Sequence, residues 1–300
     1  MKNIFYLIIA LTLLILPAYG LAQERKSGIQ IAPITFNYEI LPGGSQKAKV
    51  NLKNLGEEEI EYILETENFT ATTEDGAPVF AFGPTTEGIT TLADWFEFPQ
   101  GKTGKLGPKE STDIWFNINI PEGAEPGGHY AAIFAKVAKK TQEGKTELGV
   151  SSRVGSLVLV TVPGEIKEEV EIEELKIPRL VWGGPVDIKL KVKNTGTVHY
   201  DSQADVEIKS MFGKQVKINL GKHTVLPSSS RAYEGKWNNR YPFGVYRITA
   251  TATGGGANPA VQMMTLYAIP LKLAIPILVA ILVIIVIARY LKKKYKIVSK

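Results

Sequence analysis

The sequence predicts an all-β protein, with two tandem Ig-like antiparallel β-sandwiches followed by one C-terminal transmembrane helix. Three observations support this prediction. Several segments alternate apolar and polar residues, a set of landmarks occurs twice in the same order, and a long apolar run lies near the C-terminus. Alternation with one polar face is typical of half-buried antiparallel strands, and many short strands separated by turns are typical of sandwiches.

The alternation is clearest in KAKVNLKN, TDIWFNINI and VDIKLKVKN. In the last of these, Val186, Ile188 and Leu190 share one face, whereas Asp187 and Lys189 share the other. Pro-Gly-Gly, Asn-x-Gly and Glu-Asp-Gly turn signals stand between such segments. No helical period of useful length precedes the C-terminal apolar run, so we expect strands up to that point.

Two halves of the sequence resemble each other. KVNLKNLG matches KLKVKNTG, LGPKES matches VLPSSS, and PGGHYAAIFA matches PFGVYRITATA, in the same order. Such a repeat indicates two copies of one domain type. We therefore predict one sandwich over 23–164 and a second over 165–268. The first carries an insertion, 70–107, in which TEDG predicts a hairpin around Asp75-Gly76.

Both ends of the chain carry targeting features. Lys2, an apolar run and the small residues of AYGLAQ predict a secretory signal peptide over 1–22; an uncleaved N-terminal anchor is the alternative. The run LAIPILVAILVIIVIA predicts a transmembrane helix over 269–289, followed by a basic tail over 290–300. Basic residues stay on the cytoplasmic side, so we expect a single-pass cell-membrane protein with extracellular sandwiches and a cytoplasmic tail.

The distribution of charge argues against nucleic-acid binding, and the lack of cysteine limits how the fold is stabilised. Eight of the 35 basic residues lie outside 23–268 and all 30 acids lie inside, so that region carries a net charge of −3 and does not favour nucleic-acid binding. The basic tail is either a stop-transfer signal or a contact with anionic lipid. The absence of cysteine means that an exported fold depends on its hydrophobic cores, and we expect a bacterial or archaeal protein.

No motif for catalysis is present. The three histidines, His129, His199 and His223, lack neighbours at metal-ligand spacing. No Gly-x-Ser-x-Gly, Ser-x-x-Lys or phosphate-binding loop occurs. The six glutamates between Glu165 and Glu174 are typical of a solvated strand face. The sequence thus predicts no enzyme, no catalytic residue, no metal, no cofactor and no small-molecule substrate.

Two tyrosines are predicted to be structural. Tyr130 and Tyr246 occupy matching positions in the repeat and begin the inner face of a late strand, with His129 on the outer face. A Gly-x-Tyr at this place resembles a tyrosine corner, in which the hydroxyl bonds upstream backbone.

Four aromatic residues are candidates for a binding surface: Trp95, Phe96 and Phe98 in LADWFEFPQG of the insertion, and Trp115 on the outer face of TDIWFNINI. Structured insertions on sandwiches often carry binding. The insertion aromatics are either such a surface or a plug for the end of the core, and Trp115 is either covered by the insertion or exposed to a partner.

The order of these features resembles that of a known family. LPGGSQKAKVNLKN, the TEDG hairpin, PGGHYAAI, a second sandwich, one span and a basic tail together resemble the WxL-interacting proteins of Gram-positive bacteria. The resemblance implies a first domain that binds peptidoglycan and a second domain that binds a host or partner protein.

The sequence therefore favours a membrane-anchored surface protein that binds cell-wall polymer, such as peptidoglycan, or another surface protein. We expect the first domain to carry the main binding surface. Because its last strand runs to Ala268, the second domain should lie on the membrane. The alternative is a structural scaffold or chaperone-like assembly factor that lends a sheet edge to a subunit, which a long uncharged edge strand would favour.

Overall fold

A computed structural model describes residues 28–80, 91–138 and 153–294. The signal peptide predicted over 1–22 lies outside the described residues, as do positions 81–90 of the insertion and 295–300 of the basic tail. All strands, contacts and distances given below belong to these described residues.

The first half of the chain forms a sandwich of two sheets. Its strands are β1 (Ile29–Ala32), β2 (Thr35–Glu39), β3 (Ser45–Asn54), β4 (Ile60–Thr72), β5 (Pro78–Phe80), β6 (Phe96–Glu97), β7 (Thr103–Leu106), β8 (Ser111–Asn119), β9 (Gly127–Ala138) and β10 (Arg153–Val162), with a 3-10 helix at Leu92–Trp95. One sheet has the order β1-β3-β8-β6; the other has the order β2-β10-β9-β4-β5, with β7 also paired to β4. All pairs are antiparallel except β2 with β10.

The second half repeats this architecture. Its strands are β11 (Val170–Lys176), β12 (Leu180–Val181), β13 (Val186–Asn194), β14 (Tyr200–Ser210), β15 (Gln215–Val225), β16 (Ser230–Trp237), β17 (Gly244–Gly254) and β18 (Ala260–Ala268). The sheets have the orders β11-β13-β16 and β12-β18-β17-β14-β15, and only the short β12 pairs in parallel, with β18. The predicted all-β fold with Ig-like sandwiches is confirmed.

The alternating apolar faces build the two cores. On β3, Val50 and Leu52 are buried, and on the equivalent β13, Ile188 and Leu190 are buried, while Lys49 and Lys189 on the opposite faces are exposed. The period-two pattern read from the sequence thus places each strand correctly, because only one register buries every apolar side chain of the strand.

The repeated Asn-x-Gly motif has a structural cause. Asn54 and Asn194 end the equivalent strands β3 and β13, and both side chains are buried. Each carboxamide oxygen accepts a hydrogen bond from the glycine N–H two residues later, Gly56 or Gly196, at 2.8 Å. Each NH₂ group donates to backbone carbonyls of neighbouring segments. One buried side chain therefore joins three pieces of backbone in each sandwich.

The chain ends in a helix, α1 (Leu271–Lys294), which is long and apolar enough by length and composition to cross a membrane. Its side chains from Leu271 to Lys293 are exposed in the protein. Only Ile269 and Pro270 separate α1 from β18. The Ile269 N–H donates to the Val181 carbonyl at 2.9 Å, and the Leu271 N–H donates to the Trp182 carbonyl at 3.2 Å. The connection is therefore part of the second sandwich and is not a free linker.

Candidate functional site

The aromatic residues of the insertion do not form a binding surface. Trp95 is 6% exposed, and Phe96 and Phe98 are each 9% exposed, within the core of the first sandwich. Both phenylalanine rings contact the fully buried Phe116 ring, at centroid distances of 5.6 and 6.3 Å. The expectation of exposed binding residues is wrong for these three side chains, which plug the core instead.

Local hydrogen bonds hold this plug in place. The Asp94 carboxylate accepts a hydrogen bond from the Thr91 N–H at 2.8 Å, which begins the 3-10 helix. Asn68 of β4 accepts from the Ala93 N–H at 2.9 Å and ties the turn to the sheet. Trp95 therefore enters the core from a fixed turn, and its ring packs against the His129 ring at 4.8 Å. The outer position of His129 is explained by this packing and by a hydrogen bond to the Glu125 carbonyl at 2.9 Å.

Trp115 remains at the surface. Its side chain is 37% exposed on the outer face of β8, directly opposite Lys49 of β3. The ammonium groups of Lys47 and Lys49 lie 4.9 and 5.4 Å from the centroid of the ring, within the range of cation–π attraction. Lys49 also forms an ion pair with Asp113 at 2.6 Å. We call this surface, formed by Lys47, Lys49, Asp113 and Trp115, the Trp115 face.

Tyr130 joins the two sandwiches. Its hydroxyl accepts a hydrogen bond from the backbone N–H of His199 in the second sandwich at 3.0 Å. The prediction that this hydroxyl bonds upstream backbone is therefore wrong. The Tyr130 ring lies in a separate buried cluster with Phe69 and Leu159 of the first sandwich and Leu226 of the second. Tyr246 does make the local contact expected of a corner, because its hydroxyl accepts from the Phe243 N–H at 3.1 Å.

The hairpin of the insertion completes this junction. The predicted turn around Asp75-Gly76 is present between β4 and β5, with the Gly76 N–H donating to the Thr73 carbonyl at 2.8 Å. The Glu74 carbonyl accepts from the Ala232 N–H of β16 at 3.1 Å, and its carboxylate pairs with Lys191 at 2.7 Å. The insertion therefore binds directly to the second sandwich, and the two sandwiches are packed together.

Removing the junction hydroxyl should destabilise the protein. We expect Tyr130→Phe to cost about 1 kcal/mol or more, because the buried His199 N–H loses its acceptor. His129→Ala should cost less, because that side chain is only partly buried and makes one surface hydrogen bond. Denaturant unfolding of both variants gives the comparison. An equal loss in the two variants would contradict the junction role of Tyr130.

Acid should weaken the same junction. The buried His199 ring bonds Asn37 of the first sandwich through Nε2 at 2.9 Å, and its Nδ1 has no hydrogen-bond partner. Burial lowers the pKa of His199 below its usual value, and the Asp201 carboxylate opposes part of that shift. In the unfolded chain this histidine has its ordinary pKa of about 6.5, so it binds a proton there at a higher pH than in the folded protein. As pH falls below about 6.5, protonation therefore favours the unfolded chain, and the free energy of unfolding decreases. A melting-temperature series should show this loss in the wild type and a flatter profile in His199→Gln; identical profiles would refute it.

The second sandwich has an open sheet edge at β18. In the first sandwich, β2 pairs with the equivalent strand β10 along five residues, Leu157–Thr161. In the second, β12 pairs with β18 only at Tyr267 and Ala268. Among the described strands, none pairs with this edge of β18 between Ala260 and Leu266.

The backbone of this open edge points its hydrogen-bonding groups outward at alternate residues. The Tyr267 N–H donates across the edge to the Arg179 carbonyl at 2.7 Å. Because backbone groups alternate along a strand, Val261, Met263 and Thr265 direct their N–H and C=O groups to the same side. Val261 is 54% exposed and Met263 is 66% exposed. β18 contains no charged residue. This edge was not singled out from the sequence, since its exposure depends on how little of it β12 covers.

Within the described residues, no group of three or more His, Cys, Asp or Glu side chains lies close enough together to hold a metal ion. Two surfaces described above, the Trp115 face and the β18 edge, carry exposed groups that could bind a partner.

Comparison with known proteins gives a likeness of fold at low similarity. No protein-family model matches the chain, and no curated protein matches it significantly. A chain from a chaperone–tip adhesin complex of CFA/I fimbriae biogenesis aligns at 15% identity over 79% of this chain and 98% of its own length, with a TM-score of 0.40. The class 5 fimbriae chaperone CfaA aligns at 16% identity over 79% and 98%, with a TM-score of 0.39.

The E. coli chaperone DraB aligns at 14% identity over 79% of this chain and 96% of its own, with a TM-score of 0.37. Likenesses at this level say nothing about the function of this chain.

Proposed function

We propose that this chain is a non-enzymatic assembly or scaffold protein of the cell envelope, anchored by α1, whose second sandwich pairs with an extended strand of another exported protein at the β18 edge. The observation that carries the proposal is the open, uncharged edge from Ala260 to Leu266.

An edge of this kind favours strand addition. Unpaired N–H and C=O groups on a sheet edge are a template for another strand, and proteins usually protect them with charged side chains, proline or bulges. The other long edge strands of the second sandwich, β11, β15 and β16, all carry charged residues. β18 carries none, and the exposed side chains of Val261 and Met263 offer apolar contact beside the backbone. A strand with alternating apolar residues would satisfy both features.

The rest of the structure suits a fixed support. The Tyr130–His199 hydrogen bond and the contacts of Glu74 with the second sandwich hold the sandwiches together. The two-residue connection to α1 fixes the second sandwich to the helix. A partner strand at β18 would therefore be held at a set distance from the membrane that we propose α1 to cross.

Proline and alanine at position 263 test strand addition. The N–H of Met263 faces the open edge, so Met263→Pro removes an outward donor without breaking the ladder to β17. Met263→Ala removes the side chain and keeps that donor. We expect one exported protein to co-purify with the full-length chain from envelope membranes, to remain with Met263→Ala and to be lost with Met263→Pro. Equal recovery with both variants would exclude backbone pairing at this position.

The Trp115 face supports a second candidate function, the binding of cell-wall polymer. An exposed indole ring can stack on a sugar ring, and Lys47 and Lys49 beside it would attract the carboxylates of peptidoglycan. This role also agrees with the binding that the resemblance to WxL-interacting proteins implies for the first domain. Sedimentation with purified peptidoglycan tests it: Trp115→Ala should lose retention, whereas Trp182→Ala, at another exposed tryptophan, should keep it. Retention by both variants would remove this candidate.

A further inference from the structure

The end of the second sandwich from which α1 departs carries an unusual group of exposed side chains. Five large apolar residues are between 40% and 67% exposed there: Trp182, Met211, Phe212, Tyr241 and Phe243. They come from three loops that are far apart in sequence, β12–β13, β14–β15 and β16–β17. We call this group the collar. Exposed apolar patches of this kind on a folded domain usually mark an interaction site.

Backbone hydrogen bonds bring the three loops to the root of α1. The Gly184 N–H donates to the Arg240 carbonyl at 3.4 Å and joins the first loop to the third. The Met211 N–H donates to the Val245 carbonyl at 3.0 Å and joins the second loop to the start of β17. The Trp182 carbonyl accepts from Leu271, the first residue of α1. The collar and the beginning of the helix therefore form one continuous surface.

The charge of this surface has one sign. The segments 177–185, 211–214, 238–243 and 269–273 contain Arg179, Lys214, Arg240 and Lys272 and no acidic residue. Asp187, which follows the first of these segments, is paired with Lys236 at 3.4 Å. The collar thus combines aromatic rings with unopposed positive charge, although residues 23–268 as a whole carry a net negative charge.

We infer that the collar is a lipid-binding surface, which lies in the headgroup layer of the membrane that α1 crosses and binds the phosphates of anionic lipids. The inference rests on α1 crossing a membrane and is independent of a partner strand at β18. Because only Ile269 and Pro270 separate β18 from α1, the collar must face the plane in which the apolar helix enters.

The chemistry of the collar fits that position. Tryptophan and tyrosine are enriched at the membrane interface, where the ring is in an apolar layer and the polar atom is hydrated. Arginine offers several N–H donors in a fixed plane that match phosphate oxygens. Basic residues close to a membrane surface are attracted by anionic lipid headgroups. Contact through three loops would hold the second sandwich at a defined tilt, which a single helix does not do.

A label on the full-length chain tests lipid contact directly. The sequence has no cysteine, so Phe212→Cys and Val79→Cys each give a single labelling site at an exposed apolar position. Both proteins would carry a fluorophore and be reconstituted in vesicles containing a lipid with a nitroxide on its headgroup. We expect strong quenching of the label at position 212 and none at position 79. Absence of quenching at position 212 would overturn the inference.

The preference for anionic lipid has its own measurement in the same vesicles. Nitroxide-labelled phosphatidylglycerol should quench the label at position 212 more than nitroxide-labelled phosphatidylcholine does at the same mole fraction. Arg240→Gln should reduce this difference, whereas Lys53→Gln, which removes the same charge in the first sandwich, should preserve it. Equal quenching by the two lipids would overturn the assignment of phosphate binding to the collar.

Discussion

Replacing Trp95 by alanine is expected to lower the free energy of unfolding by about 3–5 kcal/mol, as is typical of a large aromatic side chain lost from a core. The indole ring is almost fully buried beside Phe96 and the core of the first sandwich. The turn that carries it is fixed by Asp94 and Asn68, so the backbone cannot easily collapse into the cavity. Denaturant unfolding of residues 23–268, followed by circular dichroism, measures the loss.

Trp115→Ala is the matched control for that experiment. It removes the same side chain from a position on β8 that is 37% exposed, where the ring contacts surface lysines and lies outside the core, and we expect a change within about 0.5 kcal/mol, as for most surface substitutions. A small effect of Trp95→Ala, or equal effects of the two variants, would contradict the assignment of the insertion aromatics to the core.

Asn194→Ala should have an effect of similar size on the second sandwich. The carboxamide donates to the Val198 and Val225 carbonyls at 2.8 and 2.9 Å and accepts from the Gly196 N–H at 2.8 Å. Alanine would leave these backbone groups without partners in a buried place, at about 1–3 kcal/mol for each unsatisfied group. We therefore expect a loss of at least about 3 kcal/mol, measured by the same unfolding experiment.

The chain contains its own control for this prediction. Asn219 also precedes a glycine by two residues and accepts from the Gly221 N–H at 2.8 Å, but it lies at an exposed position of β15. Water can replace the lost hydrogen bonds there, so Asn219→Ala should cost much less than Asn194→Ala. Similar losses of stability in the two variants would show that the contribution of Asn194 does not depend on its burial.

The strands and the repeat could be predicted from the sequence because they depend on local pattern. The alternation of Val186, Ile188 and Leu190 is enough to define a half-buried strand, and the recurrence of Asn54 and Asn194 marks the same turn in both copies. The hairpin at Asp75-Gly76 follows from turn chemistry in the same way.

The junction and the open edge depend on contacts between distant segments. Tyr130 and His199 are 69 residues apart, and nothing near either one specifies that the hydroxyl meets that N–H. Alternation places Trp115 on the outer face of its strand, but whether the insertion covers it, and whether Trp95 is buried, depends on how the insertion folds against the sandwich. The exposure of β18 follows from the shortness of β12, which is two residues long.

The most direct test of the assembly role is photo-crosslinking in living cells from two positions of the full-length chain. A photoreactive residue would replace Met263 at the β18 edge or Trp115 on the outer face of the first sandwich. We expect a discrete protein adduct from position 263 that is absent from position 115. No protein adduct from position 263, or the same adduct from both positions, would contradict the claim that the β18 edge receives a partner strand.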